Sequence, residues 1–257
     1  MNKRVALKVL ICAVLVFCCA GISYAEDGTA SPERLFGRGN DYYEKGEYQQ
    51  AIAEYQKILD SGYVSGTLYY NMGDAYFKLG ELGEAILNYE RAMCIIPRDA
   101  DLKANYKFAK ANVVERPVSR KGIWGWRVLK MYSGNFTVNE LTMLASVAYI
   151  LGLILLFFAV SRPRVSGYLS ALVVCLFLFT VFNVSVIWEK ANNIKTGAVA
   201  IVPKADAFFG PFDTATKFFT LNEGVNVNIM KLKDDWVKIR RADGKIGWVK
   251  ESEIQKI

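Results

Sequence analysis

The chain has 257 residues and contains no histidine. This absence excludes Ser-His-Asp and Cys-His nucleophilic sites, His-ligated zinc and a histidine proton shuttle. Hydrophobic residues make up 53% of the chain, above the ~45–50% of an ordinary soluble domain, so part of the chain is more apolar than a soluble core requires. The net charge of +7 is uneven, because residues 26–110 carry 14 acidic and 10 basic side chains. We therefore expect no nucleic-acid-binding patch.

The first 25 residues have the pattern of a secretory signal peptide. Three basic residues precede an apolar run that closes on Ser23-Tyr24-Ala25, the order of charged segment, apolar segment and small-residue cleavage site. We expect residues 1–25 to direct export and then to be removed. The alternative is an uncleaved anchor, which would leave the following segment on the same side of the membrane.

Two longer apolar runs predict transmembrane helices at residues 138–161 and 165–188. Each run exceeds the ~20 apolar residues that cross a ~30 Å hydrocarbon layer as a helix. Because only Arg162-Pro163-Arg164 separates them, we expect a tight hairpin. If the N-terminal part is exported, both soluble segments face the extracytoplasmic side and the Arg-Pro-Arg turn faces the cytoplasm.

A basic and aromatic linker is expected at residues 113–135. Its five basic side chains would favour a cytoplasmic location by the positive-inside rule, but a signal peptide acts first and commits the segment behind it to export. Trp124, Trp126 and Tyr132 are interspersed with Arg127 and Lys130, a pattern typical of a segment lying at lipid headgroups. A solvated linker with incidental aromatic residues is the alternative.

Residues 32–112 contain a repeat with the 34-residue period and residue pattern of tetratricopeptide repeats. We expect two repeats of paired helices, followed by a capping helix from Ala100 to Asn112. Since at least three repeats are usually needed for a stable stack, packing against a partner, a second copy or the membrane-proximal segment is expected to stabilise it. The matched pairs are Gly39/Gly73, Tyr42/Tyr76, Gly46/Gly80, Ala51/Ala85 and Tyr55/Tyr89.

The tetratricopeptide resemblance implies a peptide-binding or protein-binding groove on the first helix of each repeat. Asn40 and Asn71 match two positions of the clamp by which some relatives hold a peptide C-terminus, but Phe36 stands where that clamp has a lysine. An aromatic groove for an apolar or extended peptide fits better, and the alternative is that single rings merely pack inside the repeat. The groove positions are Phe36, Asn40, Tyr43, Glu44, Tyr70, Asn71, Asp74, Phe77 and Lys78.

Residues 197–257 change from helical to alternating periodicity, which predicts five short strands and a hairpin turn at Asp243-Gly244. The pattern Asp235-Trp236-Val237, followed by Asp243-Gly244 and Gly247-Trp248-Val249, resembles a bacterial Src-homology-3-like domain. This resemblance implies a small all-β barrel, and such barrels use exposed aromatic side chains to hold peptides or wall glycans. The candidate ligand surface is Phe209, Phe212 and Trp236, with the alternative that Trp236 and Trp248 are core rings.

The order of signal, repeat pair, basic linker, helix hairpin and barrel resembles the BatE proteins of the bacterial aerotolerance (Bat) group. The resemblance implies a multidomain protein of the bacterial inner membrane, with its soluble domains in the periplasm. It also implies partners: membrane-bound von Willebrand A-type proteins, companion Bat proteins and a MoxR-type ATPase on the cytoplasmic side.

An enzyme is the rival class of function. The sequence has no phosphate-cradling GxxxxGK[ST] loop, no cysteine cluster for a metal and no histidine, so we expect no catalytic residue, metal or cofactor. The expected function is a membrane-anchored adaptor or scaffold that binds partner proteins through its repeats. The alternative is a cell-envelope sensor whose barrel binds peptidoglycan or peptide.

Overall fold

The computed structural model describes residues 31–114, 124–161 and 166–257. The predicted signal peptide and the Arg162-Pro163-Arg164 turn lie outside these ranges, as do most of the basic residues of the linker.

The N-terminal domain is a stack of five helices joined by short turns. Gly46 and Gly80 lie in the turn between the two helices of each repeat, with φ of 78° and 82°. Glycine adopts this left-handed conformation without steric cost. The predicted repeat pairs and following helix are present in this arrangement. The helices are α1 (Pro32–Glu44), α2 (Tyr48–Asp60), α3 (Gly66–Leu79), α4 (Leu82–Ile95) and α5 (Ala100–Ala111).

Each pair of helices is held together by a tyrosine packed against a glycine. A Cβ atom on Gly39 would lie 2.3 Å from Cε1 of Tyr55, and one on Gly73 would lie 2.6 Å from Cδ1 of Tyr89. Both tyrosines are almost completely buried. The repeat therefore uses glycine for a close approach of the two helices at this position.

Three further helices follow the stack: α6 (Trp124–Asn135), α7 (Val138–Ser161) and α8 (Ser166–Thr196). By length and composition α7 and α8 could each cross a membrane, and they pack against each other as a hairpin. The first has the predicted bounds. The second continues past the predicted end at residue 188 to Thr196, because polar residues extend the helix beyond the apolar run.

The part of the predicted linker that the structure describes is mainly helix α6, which packs against α8. The hydroxyl of Tyr132 donates to Oδ1 of Asn183 at 2.7 Å, and the ammonium of Lys190 donates to the carbonyls of Ser133 and Phe136 at 3.0 and 2.5 Å. Asn183 is fully buried, so α6 provides a partner for a polar side chain within the largely apolar part of α8.

The C-terminal domain is one antiparallel sheet of seven strands in the order β3-β2-β6-β5-β4-β1-β7. Five strands were expected, and the sheet ends at β3 and β7 without closing into a barrel by hydrogen bonds. Gly244, with φ of 91°, makes the predicted hairpin turn. The strands are β1 (Gly197–Ala200), β2 (Lys204–Phe208), β3 (Lys217–Asn222), β4 (Asn226–Lys233), β5 (Trp236–Arg241), β6 (Ile246–Lys250) and β7 (Ile254–Lys256).

This β domain packs on the back of the second repeat. Leu87 and Glu90 of α4 are buried, whereas their counterparts in the first repeat, Ala53 and Gln56 of α2, are exposed. Val199 of β1 is fully buried within the same apolar cluster as α4 and α5. The stabilisation that two repeats lack is thus supplied by the chain's own β domain, which was not among the expected sources.

Candidate peptide-binding groove

A hydrogen-bonded triad joins the first repeat to the second. The hydroxyl of Tyr55 donates to Oδ1 of Asn40 at 2.7 Å, and the side-chain amide of Asn71 donates to the same oxygen at 3.0 Å. The triad therefore connects α1, α2 and α3 through polar atoms at the base of the groove. Asn40 and Asn71, two predicted groove residues, are brought together in this way.

The same triad recurs one repeat later with a carboxylate in place of the first amide. The hydroxyl of Tyr89 donates to Oδ1 of Asp74 at 2.5 Å, and the side-chain amide of Asn105 donates to that oxygen at 2.9 Å. The amide of Asn105 also donates to the hydroxyl of Tyr70 at 2.9 Å. Asp74 occupies the position in the second repeat that is equivalent to Asn40 in the first, and it places a negative charge at the centre of the groove.

Helix α5 is consequently the first helix of a third, incomplete repeat. Asn105 and Phe108 stand where Asn71 and Asp74 stand in the second repeat, one full period further along the chain. Sequence reasoning treated α5 as a cap and missed both as groove residues, although extending the period once more would have found them. Phe108 is 64% exposed, and its ring lies edge-on to Phe77 with centroids 5.6 Å apart.

The remaining aromatic groove residues are partly packed and partly accessible. Phe36 and Tyr70 lie at equivalent positions, with ring centroids 5.8 and 6.2 Å from those of Tyr55 and Tyr89. Tyr43 contacts Tyr48 at 5.2 Å. Rings that are only half-buried leave part of one face for a ligand. The two charged groove residues at the helix ends, Glu44 and Lys78, are exposed.

Burial raises the phenol pKa values in the groove, and the charge of Asp74 raises them further. The pKa values of Tyr55 and Tyr70 both rise to about 12. Burial is also the largest cause of the raised pKa values of Tyr43 and Tyr89, and Asp74 contributes to both. One carboxylate thus acts on four phenols, all of which stay neutral and able to donate hydrogen bonds at physiological pH.

The predicted ligand surface of the β domain is only partly present. Phe209 and Phe212 are 62% and 55% exposed, and the ring of Phe209 stacks on Phe218 with centroids 4.4 Å apart. Trp236 lies in the core instead, with 8% exposure and its ring edge-on to Phe208. Phe218, which belongs to β3, was not among the predicted ligand-surface residues.

In the part of the chain that the structure describes, no group of three or more Cys, Asp or Glu side chains could hold a metal ion. The groove side chains can donate and accept hydrogen bonds, stack on a ligand and pair with a positive charge. All of these interactions serve to bind a ligand.

Comparison with known families supports the two-domain composition. Residues 36–101 match the family model of the tetratricopeptide repeat, and residues 202–256 match that of the bacterial SH3 domain. No curated protein matches the chain. Tetratricopeptide repeats typically serve as scaffolds for protein–protein interaction, and bacterial SH3 domains are typical of cell-wall binding.

Proposed function

We propose that this protein is a membrane-anchored adaptor that binds partner proteins through the groove formed by α1, α3 and α5. The observation that carries the proposal is the asymmetry of the repeat: the β domain covers the back of α4, while the groove face keeps half-buried aromatic rings and a carboxylate open to a ligand. A protein that only needed a stable stack would gain nothing from leaving these rings accessible.

The proposed anchor is the hairpin of α7 and α8. Many of its large apolar side chains are exposed, among them Phe157 at 69% and Phe177 at 61%. Such surface is costly in water and favourable in a bilayer. Both soluble domains attach to the same end of the hairpin, where Nη2 of Arg98 lies 2.5 Å from Oε1 of Glu140. We propose that this end faces the periplasm of a bacterial inner membrane.

The proposed setting is a Bat-type membrane complex, with a membrane-bound von Willebrand A-type protein as a partner. It rests on the order of the segments and on the BatE resemblance. A groove held close to the hairpin by the contacts of Arg98 with Asn135 and Glu140 would meet a partner near the membrane surface.

A crosslinking pull-down of the intact protein tests the groove. We expect it to recover a membrane-bound von Willebrand A-type protein, and the double variant Tyr43→Ala, Phe77→Ala to recover much less. Tyr63→Ala is the matched control, because Tyr63 is 48% exposed and lies outside the groove. Equal recovery by the double variant and the control would reject the groove as the binding site.

Reporter fusions test the proposed topology. Alkaline phosphatase and a fluorescent protein joined after residue 112 or after residue 257 should give phosphatase activity at both positions and fluorescence at neither. Fluorescence at both positions would place both soluble domains in the cytoplasm and would reject the periplasmic orientation.

A second candidate function, a cell-envelope sensor, is favoured by the exposed pair Phe209 and Phe212 together with the bacterial SH3 match. Sedimentation of the detergent-solubilised protein with peptidoglycan sacculi tests it. Retention that is lost in the double variant Phe209→Ser, Phe212→Ser would support wall binding through this patch. Absence of retention would reject wall binding and leave the adaptor as the remaining candidate function.

A further inference from the structure

Among the described groove residues, Asp74 carries the only charge at the centre of the groove, and no basic side chain of these residues forms an ion pair with it. Oδ1 accepts both hydrogen bonds, from Tyr89 and Asn105. In the described residues no Lys or Arg nitrogen forms an ion pair within 4.0 Å of the carboxylate. Lys78, one helical turn away, is exposed and does not pair with Asp74.

The surroundings of Asp74 suit a ligand cation. The hydroxyl of Tyr70 receives the same Asn105 amide that donates to Asp74, so this ring lies beside the carboxylate. A guanidinium or ammonium group near the face of an aromatic ring gains a cation–π interaction. The aliphatic stem of Lys or Arg can meanwhile pack on half-buried rings such as Phe77.

Apart from Lys78, the charged groove residues and the acidic start of α5 have the same sign as Asp74. Asp101 and Asp99, at the start of α5, act on Tyr70 alongside Asp74, and Glu44 is exposed at the end of α1. Lys78 is the one basic residue among the groove positions that the structure describes. A ligand that brings a positive charge is therefore favoured, and a peptide C-terminal carboxylate is disfavoured.

We propose that the groove binds a peptide segment bearing a Lys or Arg side chain, whose cation pairs with the Asp74 carboxylate among the groove tyrosines. The inference rests on the proposed adaptor function, because it specifies the partner segment for the same groove. Both donors of the triad, Tyr89 and Asn105, bond to Oδ1 of Asp74, so the triad itself does not use the second oxygen. A bond from a charged donor to a carboxylate is about twice as strong as a neutral one.

Fluorescence anisotropy with the full-length protein in detergent tests the proposal directly. The probes are two labelled decapeptide pools, identical except that the fixed central residue is arginine in one and citrulline, its neutral isostere, in the other. We expect the arginine pool to bind at least about tenfold more tightly, as expected for a charge-assisted hydrogen bond of ~1.5–3 kcal/mol. Because residues 26–110 carry 14 acidic and 10 basic side chains, the variants described next separate non-specific attraction of the arginine pool from binding at Asp74.

The variant Asp74→Asn should remove this preference. Asparagine keeps an oxygen that can accept from Tyr89 and Asn105, so the triad can be retained while the charge is lost. Asp41→Asn is the matched control, because Asp41 is exposed on α1 outside the predicted groove positions, and it should keep the preference. Thermal unfolding of both variants shows whether the fold is intact.

Three results would overturn the proposal: equal binding of the two pools, no binding of either pool, or a preference that survives Asp74→Asn. If the pull-down still depends on Tyr43 and Phe77 while the pools bind equally, the groove binds protein without selecting a cation. If the pull-down is also indifferent to Tyr43 and Phe77, the proposed function itself fails.

Discussion

The backbone N–H of Gly83 donates to Oε1 of Glu223 at 2.8 Å, across the boundary between the repeat and the β domain. Gly83 lies in the first turn of α4, whose N-cap residue Glu81 makes no side-chain capping bond. A carboxylate from the β domain therefore acts as the cap and opposes the positive end of the helix dipole. The end of this helix is completed only when the two domains are docked.

We predict that Gly83→Ala weakens the docking although alanine favours helix. A Cβ at this position would lie 2.6 Å from the carbonyl oxygen of Ala200, so the β domain must shift, at a cost of about 1–3 kcal/mol. The melting temperature should fall, and amide hydrogen exchange should rise in α4 and β1. Gln49→Ala changes the equivalent, exposed position of the first repeat and should leave both measurements unchanged. Equal behaviour of the two variants would contradict the prediction.

Gly39→Ala should destabilise the first repeat by about 1–3 kcal/mol. The new methyl group would overlap the buried ring of Tyr55, which has no space to move. Gly37→Ala lies two residues away on the same helix, where a Cβ meets nothing within 4 Å, and should stabilise by roughly 0.5–1 kcal/mol. Urea denaturation followed by circular dichroism measures both, and effects of the same sign would refute the packing account.

Tyr132→Phe should loosen α6 from the hairpin. The change removes the donor to Oδ1 of Asn183, which would leave a buried amide oxygen without that partner. The expected cost is about 0.6–2 kcal/mol, the range known for such bonds between helices of membrane proteins. Limited trypsin digestion in detergent should then cleave faster after Lys130. Tyr149→Phe, at a 53% exposed ring on α7, is the control and should not change the rate. An unchanged rate in both variants would show that the contact does not hold α6.

The repeat should lose stability as the pH rises from about 10 to 12. Burial raises the pKa values of Tyr55 and Tyr70 to about 12, whereas phenols in the unfolded chain ionise near ~10. The unfolded state therefore releases these protons first, and alkaline pH favours it. Below about pH 10 both states keep the protons, so no change is expected from these groups.

Urea midpoints measured across this range, together with tyrosinate absorbance at 295 nm, test the pH dependence. Tyr63→Phe removes an exposed phenol and should leave the slope unchanged, whereas Tyr55→Phe should make it shallower. A midpoint that stays constant up to pH 12 would contradict the prediction.

The regular period of the sequence made the repeat helices predictable, because the spacing of Gly39 and Tyr55 specifies a close helix pair and recurs at Gly73 and Tyr89. The two uncharged runs made the presence of the hairpin helices predictable, although α8 continues past its run to Thr196. The groove triads required one more step, because Asn105 is recognised only when the period is extended past the second repeat.

The docked β domain was not predictable from local pattern. On α4, Leu87 and Glu90 replace the exposed Ala53 and Gln56 of α2, a difference that indicates some covering but not which segment provides it. Seven strands form where five were expected for a related reason: whether a short segment pairs depends on its neighbours more than on its own residues. Trp236 and its neighbour Val237 are both buried, whereas a strand with one buried face would bury only every second side chain.

Helix α8 passes into β1 without an intervening loop, since the helix ends at Thr196 and the strand begins at Gly197. Eight helical residues, 189–196, lie between the end of the apolar run and the sheet, and at 1.5 Å per residue they span about 12 Å. Gly197 is itself packed against the carbonyl of Asn193. The join is therefore a rigid arm rather than a flexible tether. The length of this helical extension limits the distance between the apolar part of the hairpin and the β domain. The same limit applies to the repeat that is docked on the β domain.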